Sequence, residues 1–172
     1  MSGEARRKSL RLLHQGERTS IHLLRSEPTG RVSTVKILEK TPQQQRNIIR
    51  LHNEYECTRS LRILGVRRAL ELTEIDDDPA LELEFIEGER LDVIRPKAGW
   101  ELSACLDIAI SIVRILGEVH KAGLIHGAIA PEHLLVDSNV SSVTLIGFGS
   151  ASRIAHVLSP LETSEGGVGD PR

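Results

Sequence analysis

The chain has 172 residues, 40% apolar and 27% charged, with a formal net charge of -2. That suits one folding unit or two small lobes, excludes a string of independent domains, and leaves no electrostatic footprint for nucleic acid or an anionic membrane. No apolar run approaches the roughly 20 residues a membrane helix needs, and the polar amino terminus does not resemble a secretory signal, so a soluble chain is expected. With two Phe, one Trp and one Tyr, Leu, Ile, Val and Ala must fill the core. Cys57 and Cys105 are far apart and show neither a disulfide framework nor a metal-ligand spacing, which fits a reducing cytoplasm.

In chain order, Arg6, Arg7, Lys8 and Arg11 form a small basic cluster, and residues 1–8 read as a flexible arm. Ser9 to His14, Ser20 to Leu24 and Arg31 to Leu38 are strand-like runs, the last two separated by the turn residues Glu27-Pro28-Thr29-Gly30. Thr41-Pro42 opens a helical stretch, with Thr41 as cap and Pro42 first. Ile48, Leu51, Tyr55, Thr58 and Leu61 give it one buried stripe. Val66 to Glu74 and Leu81 to Ile86 read as strands around an acidic turn, Asp76-Asp77-Asp78-Pro79. Glu82 and Glu84 alternate with Leu81, Leu83 and Phe85 and mark a solvated face.

From Glu101 to Lys121 the period becomes helical, with Leu102, Leu106, Ala109, Val113, Leu116 and His120 on one stripe and Cys105, Ile108, Ile112, Ile115 and Val119 beside it. A stripe this wide predicts a helix buried in the middle of a lobe. Leu134 to Val136 and Val143 to Ile146 are brief strands around Asp137-Ser138-Asn139. Residues 159–172 are polar and rich in Gly, Ser and Pro, the composition of a disordered tail.

This order, with Ser33-Thr34-Val35-Lys36 before a helix carrying Glu54, then His126-Gly127-Ala128-Ile129-Ala130-Pro131-Glu132-His133, then Gly147-Phe148-Gly149, resembles the first two-thirds of a protein kinase. The likeness covers roughly residues 10 to 155 and extends to the kinase-like domain at the amino end of multidomain signalling histidine kinases. It implies an α+β fold, with a kinase-like amino lobe over residues 9–87, an antiparallel sheet with one helix, and a partial helical carboxy lobe over 88–158. It also implies that Lys36 and Glu54 form an ion pair, a structural strut more than a substrate clamp, at a residual nucleotide site. Without the family likeness they would read as a strand lysine and a surface helix glutamate.

Other positions depart from the family pattern. Ala128 stands where the resemblance places the catalytic Asp, while His133 and Gly147 stand where it places magnesium ligands. A methyl group cannot accept a proton, and magnesium demands oxygen. The segment His14 to Ser20 keeps a single glycine where the family has a glycine-rich loop. The expectation from these departures is a pseudokinase, not an enzyme, with no metal and no cofactor, acting as a regulatory or scaffolding protein-interaction module. ATP held through Lys36 in a metal-independent switch is the alternative. His126 and Phe148 are expected to pack rather than react, and Gly149 to complete the motif. Because the chain stops soon after Gly149, the expectation is either a piece of a longer protein or an incomplete carboxy lobe whose apolar face a protein partner or a second copy buries.

Overall fold

Runs of β-branched and leucine residues cannot leave their backbone N–H and C=O groups unpaired, so the strand-like segments pair with one another. In the computed structural model, which describes residues 7–26, 29–94, 99–137 and 142–154, the first strands are β1 (Arg7–Gln15), β2 (Thr19–Ser26), β3 (Val32–Leu38), β4 (Ala69–Ile75) and β5 (Asp78–Glu84). They form one antiparallel sheet in the order β1-β2-β3-β5-β4. Asp76 and Asp77 join β4 to β5 with positive φ at both residues, the backbone whose twist matches a tight hairpin. Arg7 and Lys8, assigned to a flexible arm by sequence, are the start of β1. The remainder of that arm and the tail over 159–172 lie outside the described residues.

The helix over this sheet is α1 (Gln44–Thr58). It does not begin at Pro42 with Thr41 as cap, because both oxygens of Thr41 are engaged. Its carbonyl accepts the Gln44 N–H at 3.0 Å and its hydroxyl accepts the Asn47 amide at 3.2 Å. The buried face also differs from the expected stripe. Asn47, Leu51, Glu54, Cys57 and Thr58 are buried, whereas Ile48 and Tyr55 only half cover Leu81 and Leu83 of the sheet. The helix packs both on the sheet and against the turn at Phe148, so its inner face is turned toward the gap between them.

Glu82 is not on a solvated face: it is 7% exposed, and Glu84 is half-buried. β5 is a central strand covered on both sides, with Leu81 and Leu83 under α1 and Ala80 packed with Leu24 and Val35. Central strands lose the alternation that marks a half-wetted sheet.

The second layer comprises β6 (Glu89–Arg90), α2 (Leu102–Lys121), β7 (Leu124–Ile125), β8 (Leu134–Val136), β9 (Val143–Leu145) and β10 (Ser152–Arg153). β6, β8 and β9 make a small sheet and β10 pairs with β7. The α2 helix is not buried in the middle of a lobe. Ile108, Ile115 and Val119 face a core built around Phe148, Leu124 and Leu145, but Leu102 is 73% and Val113 69% exposed, with Leu106 and Ile110 also open. One face packs on β7 and β9, and no described residue covers the other. No helix among the described residues is long and apolar enough to cross a membrane.

The two layers are stitched by backbone. The strand expected from Val66 starts only at Ala69, because Val66 bridges Leu145 of β9 in parallel. The Leu145 N–H donates to the Gly65 carbonyl at 2.7 Å, and the Arg67 N–H donates to the Leu145 carbonyl at 3.1 Å.

Candidate functional site

The cleft lies between these layers. β3 carries Lys36 on its inner face, α1 carries Glu54, and the two side chains form an ion pair that is nearly closed off from water. Burial, the largest influence on Glu54, pushes its carboxyl up, but Lys36, Arg67 and His133 together hold it below the ordinary carboxylate range. Glu54 therefore stays ionised at neutral pH.

Arg67, just before β4, borders the same cavity as Lys36. It is 7% exposed and its Nε has no hydrogen-bond partner. Burial lowers its pKa and Glu54 opposes that shift. The front of the cleft is held differently. The Arg90 guanidinium binds the Asp92 carboxylate at 2.9 and 2.5 Å and lies 2.7 Å from His14 Nε2 at the end of β1. This ties the segment before Gly16 to the second layer. Burial, then the Arg90 charge, keep the His14 imidazole below its ordinary value.

The floor is made by the segment from His126 to His133 and by Gly147 to Gly149. His126 is buried and donates from Nε2 to the Ile146 carbonyl at 3.0 Å, while its Nδ1 accepts the Ala128 N–H at 3.3 Å. Its ring meets Phe148 edge-on at 4.5 Å. Both ring nitrogens are thus engaged in holding backbone, and Phe148 is fully buried beneath. His133 donates from Nδ1 to the Ala128 carbonyl at 2.6 Å, and its ring occupies the space that a side chain at Gly147 would need. Gly147 also has φ +80, a backbone that favours glycine. Ala128 thus contributes backbone to both histidines, and Gly149 packs under the Arg50 carbonyl of α1.

Burial, foremost, depresses the His126 pKa. The unfolded chain then binds that proton more readily than the folded one, so folding stability is fully present above the ordinary imidazole value of 6.5 and declines as pH falls below it. Denaturant midpoints measured downward from neutral pH should show this decline, and His126→Asn should flatten it. A midpoint independent of pH in that window would contradict the assignment.

Of the positions that sequence reading singled out, Lys36, Glu54, His133, Gly147 and Gly149 line the cleft, Ala128 contributes backbone beneath it, and His126 and Phe148 are buried below. Sequence reading missed Arg67, Arg90 and Asn53. The Asn53 amide on α1 donates toward the carbonyls of Ala151, Gly149 and Phe148, at 2.8, 3.2 and 3.5 Å, and fastens the helix to the Gly-Phe-Gly turn. Arg67 carried no distinguishing signal, since Arg68, Glu71 and Glu74 stand in the same run.

Comparison with known proteins matches residues 7–167 to the protein kinase domain. The chain is 28% identical to a probable serine/threonine-protein kinase of Clostridium perfringens over 87% of its length and 23% of that protein. It is 26% identical to the serine/threonine-protein kinase cds1 of Schizosaccharomyces pombe over 93% of its length and 36% of that protein. A third relative, serine/threonine-protein kinase pkn2 of Myxococcus xanthus, is 26% identical over 86% of this chain and 18% of its own. The chain thus spans well under half the length of these relatives.

Kinases use magnesium on the transferred phosphates, and the cleft residues here do not fit that ion. Magnesium asks for near-octahedral oxygen ligands, whereas Gly147 offers no side chain and His133 offers nitrogen, with Nδ1 already donating to Ala128. Among the described residues no group of three His, Cys, Asp or Glu side chains is gathered that could hold a metal.

The relatives overturn one expectation. Ala128, His133 and Gly147 suggested that the chain is not an enzyme, but a protein kinase domain match and relatives named as serine/threonine kinases do not support that statement, and it does not stand. The physical reason is that phosphoryl transfer rests mainly on positioning and charge, which is a property of the whole cleft more than of any one side chain. With the match extending over both layers and across the Lys36–Glu54 cleft, the chain belongs to the protein kinase domain family.

Proposed function

We propose that this domain is a nucleotide-responsive regulatory module of kinase-family signalling. A nucleotide enters the cleft by its phosphates, and its occupancy is passed to a protein partner. The observation that carries this reading is the largely desolvated Lys36–Glu54 pair, whose lysine borders an open cleft of about 750 Å³. A lysine fixed by a buried carboxylate is a preorganised anion contact, because its geometry is set before the ligand arrives. Asn53, one residue before Glu54, connects the same helix to the Phe148 turn, which gives occupancy a mechanical route out of the cleft. The setting that suits two free thiols, Cys57 and Cys105, is the cytoplasm.

Calorimetric titration with ATP, with and without magnesium, tests this reading. Saturable heat is expected from the native chain, with affinity reduced at least about tenfold in Lys36→Met, equivalent to about 1.4 kcal/mol. Absence of heat in both conditions would remove the nucleotide and leave a module that acts through protein contacts alone. Transfer of labelled γ-phosphate to a protein acceptor in the same samples reads the activity that the relatives' names state.

A further inference from the structure

We propose that Arg67 is a fixed cation of the cleft that, with Lys36, takes the phosphates of a nucleotide without a divalent metal. This rests on the nucleotide reading above and adds the charge partner that the reading lacks. Three observations support it.

The first is charge balance. At the inner end of the cleft, Glu54 is the carboxylate that Lys36 contacts directly and whose charge acts on Arg67 at longer range. Arg67 lies in a place that excludes most water and makes no ion pair among the described residues. A buried charge without a full counter-charge is unfavourable and favours an incoming anion.

The second is the unsatisfied donor. Arg67 is more than nine-tenths buried, borders the larger cavity together with Lys36, Arg18, His133 and Gly147, and its Nε–H meets no acceptor. Buried donors are nearly always paired, and a guanidinium presents several N–H groups in a plane that matches phosphate oxygens. A bound phosphate would supply the missing acceptor.

The third is position. The Arg67 backbone is pinned to Leu145, two residues before Gly147, so the guanidinium enters from a rigid strand crossing and not from a loop. It borders the same cavity as Gly147 and His133, the pair that offers magnesium no oxygen ligand. Arginine keeps its charge through any accessible pH and does not depend on metal supply.

The test is titration of the native chain with ATP, ADP, pyrophosphate and adenosine in excess chelator, repeated with magnesium. The expected result is ATP and pyrophosphate binding in chelator, with affinity reduced about tenfold or more in Arg67→Met and partly recovered in Arg67→Lys, while adenosine binding is unchanged in both. Thermal melting of each variant reports whether it is folded, and Arg67→Lys decides the matter if the methionine variant does not fold. Binding of ATP only when magnesium is present, or equal phosphate affinity in a folded Arg67 variant, would overturn the role of Arg67 and leave the nucleotide reading in place. No binding of ATP or pyrophosphate under either condition would overturn both.

Discussion

Glu54→Ala is expected to lower folding stability by about 3 to 5 kcal/mol, the range for stranding buried charge. The carboxylate contacts Lys36 on β3 and its charge also acts on Arg67 before β4, so its removal leaves both cations without that counter-charge in a poorly solvated space. Lysine has some access to water, but Arg67 has almost none and cannot shed its proton. Lys36→Met should cost much less, since Arg67 remains to neutralise Glu54. Chemical denaturation of both variants measures the difference. A loss in Lys36→Met that equals or exceeds the loss in Glu54→Ala would mean that Arg67 does not share the carboxylate.

Gly127→Ala is expected to be the most damaging substitution of a small residue by a small residue. Gly127 has φ +74, and a Cβ there would lie 2.6 Å from the Ser150 carbonyl oxygen. The left-handed backbone alone costs a non-glycine residue about 1 to 2 kcal/mol. The clash is with main chain held by the β7–β10 pairing, which cannot swing aside as a side chain could, and overpacking of this kind adds about 1 to 3 kcal/mol. Gly123→Ala separates the two effects. Its φ of +77 is nearly the same, but nothing lies within 4 Å of the added methyl. It should show the backbone cost alone, and equal midpoints for the two variants would show that the 127–150 contact yields.

Much of this arrangement could be read from the amino acids because its elements are local. The strand-like runs around Val35 and Leu83, the Asp76-Asp77 turn and the apolar period of α2 each depend on near neighbours, and the five strands of the sheet and the two helices exist in the order read, with shifted boundaries and buried faces. The kinase resemblance implied that Lys36, Glu54 and the 126–133 and 147–149 segments meet. What could not be read depends on partners distant in sequence. Glu82 alternates like a wetted residue, yet β5 is covered on both faces. The start of α1 depends on Asn47 taking the hydroxyl that was assigned to capping. The width of the α2 stripe is real, but periodicity reports which residues could be buried and not whether a neighbour arrives to cover them. Arg67 is functionally legible only beside Glu54, and the turn of the chain that brings it there depends on Leu145. The statement that the chain is not an enzyme failed for a related reason, since it was drawn from individual positions.

The pairing of Val66 with Leu145 also bears on the order in which the molecule comes together. The sheet and α1 are complete by Glu84 and rest on contacts that a growing chain can make early. The back of the cleft cannot exist until β9 has been synthesised and returned across the whole of α2 to meet a strand crossing laid down long before. Closing such a long loop carries an entropic cost that only the finished contacts offset. The sheet can therefore form as soon as it is made, while the cleft with its buried charges is among the last parts to close. A nascent chain that stops before β9 would carry Lys36, Glu54 and Arg67 without the floor that gives them a site.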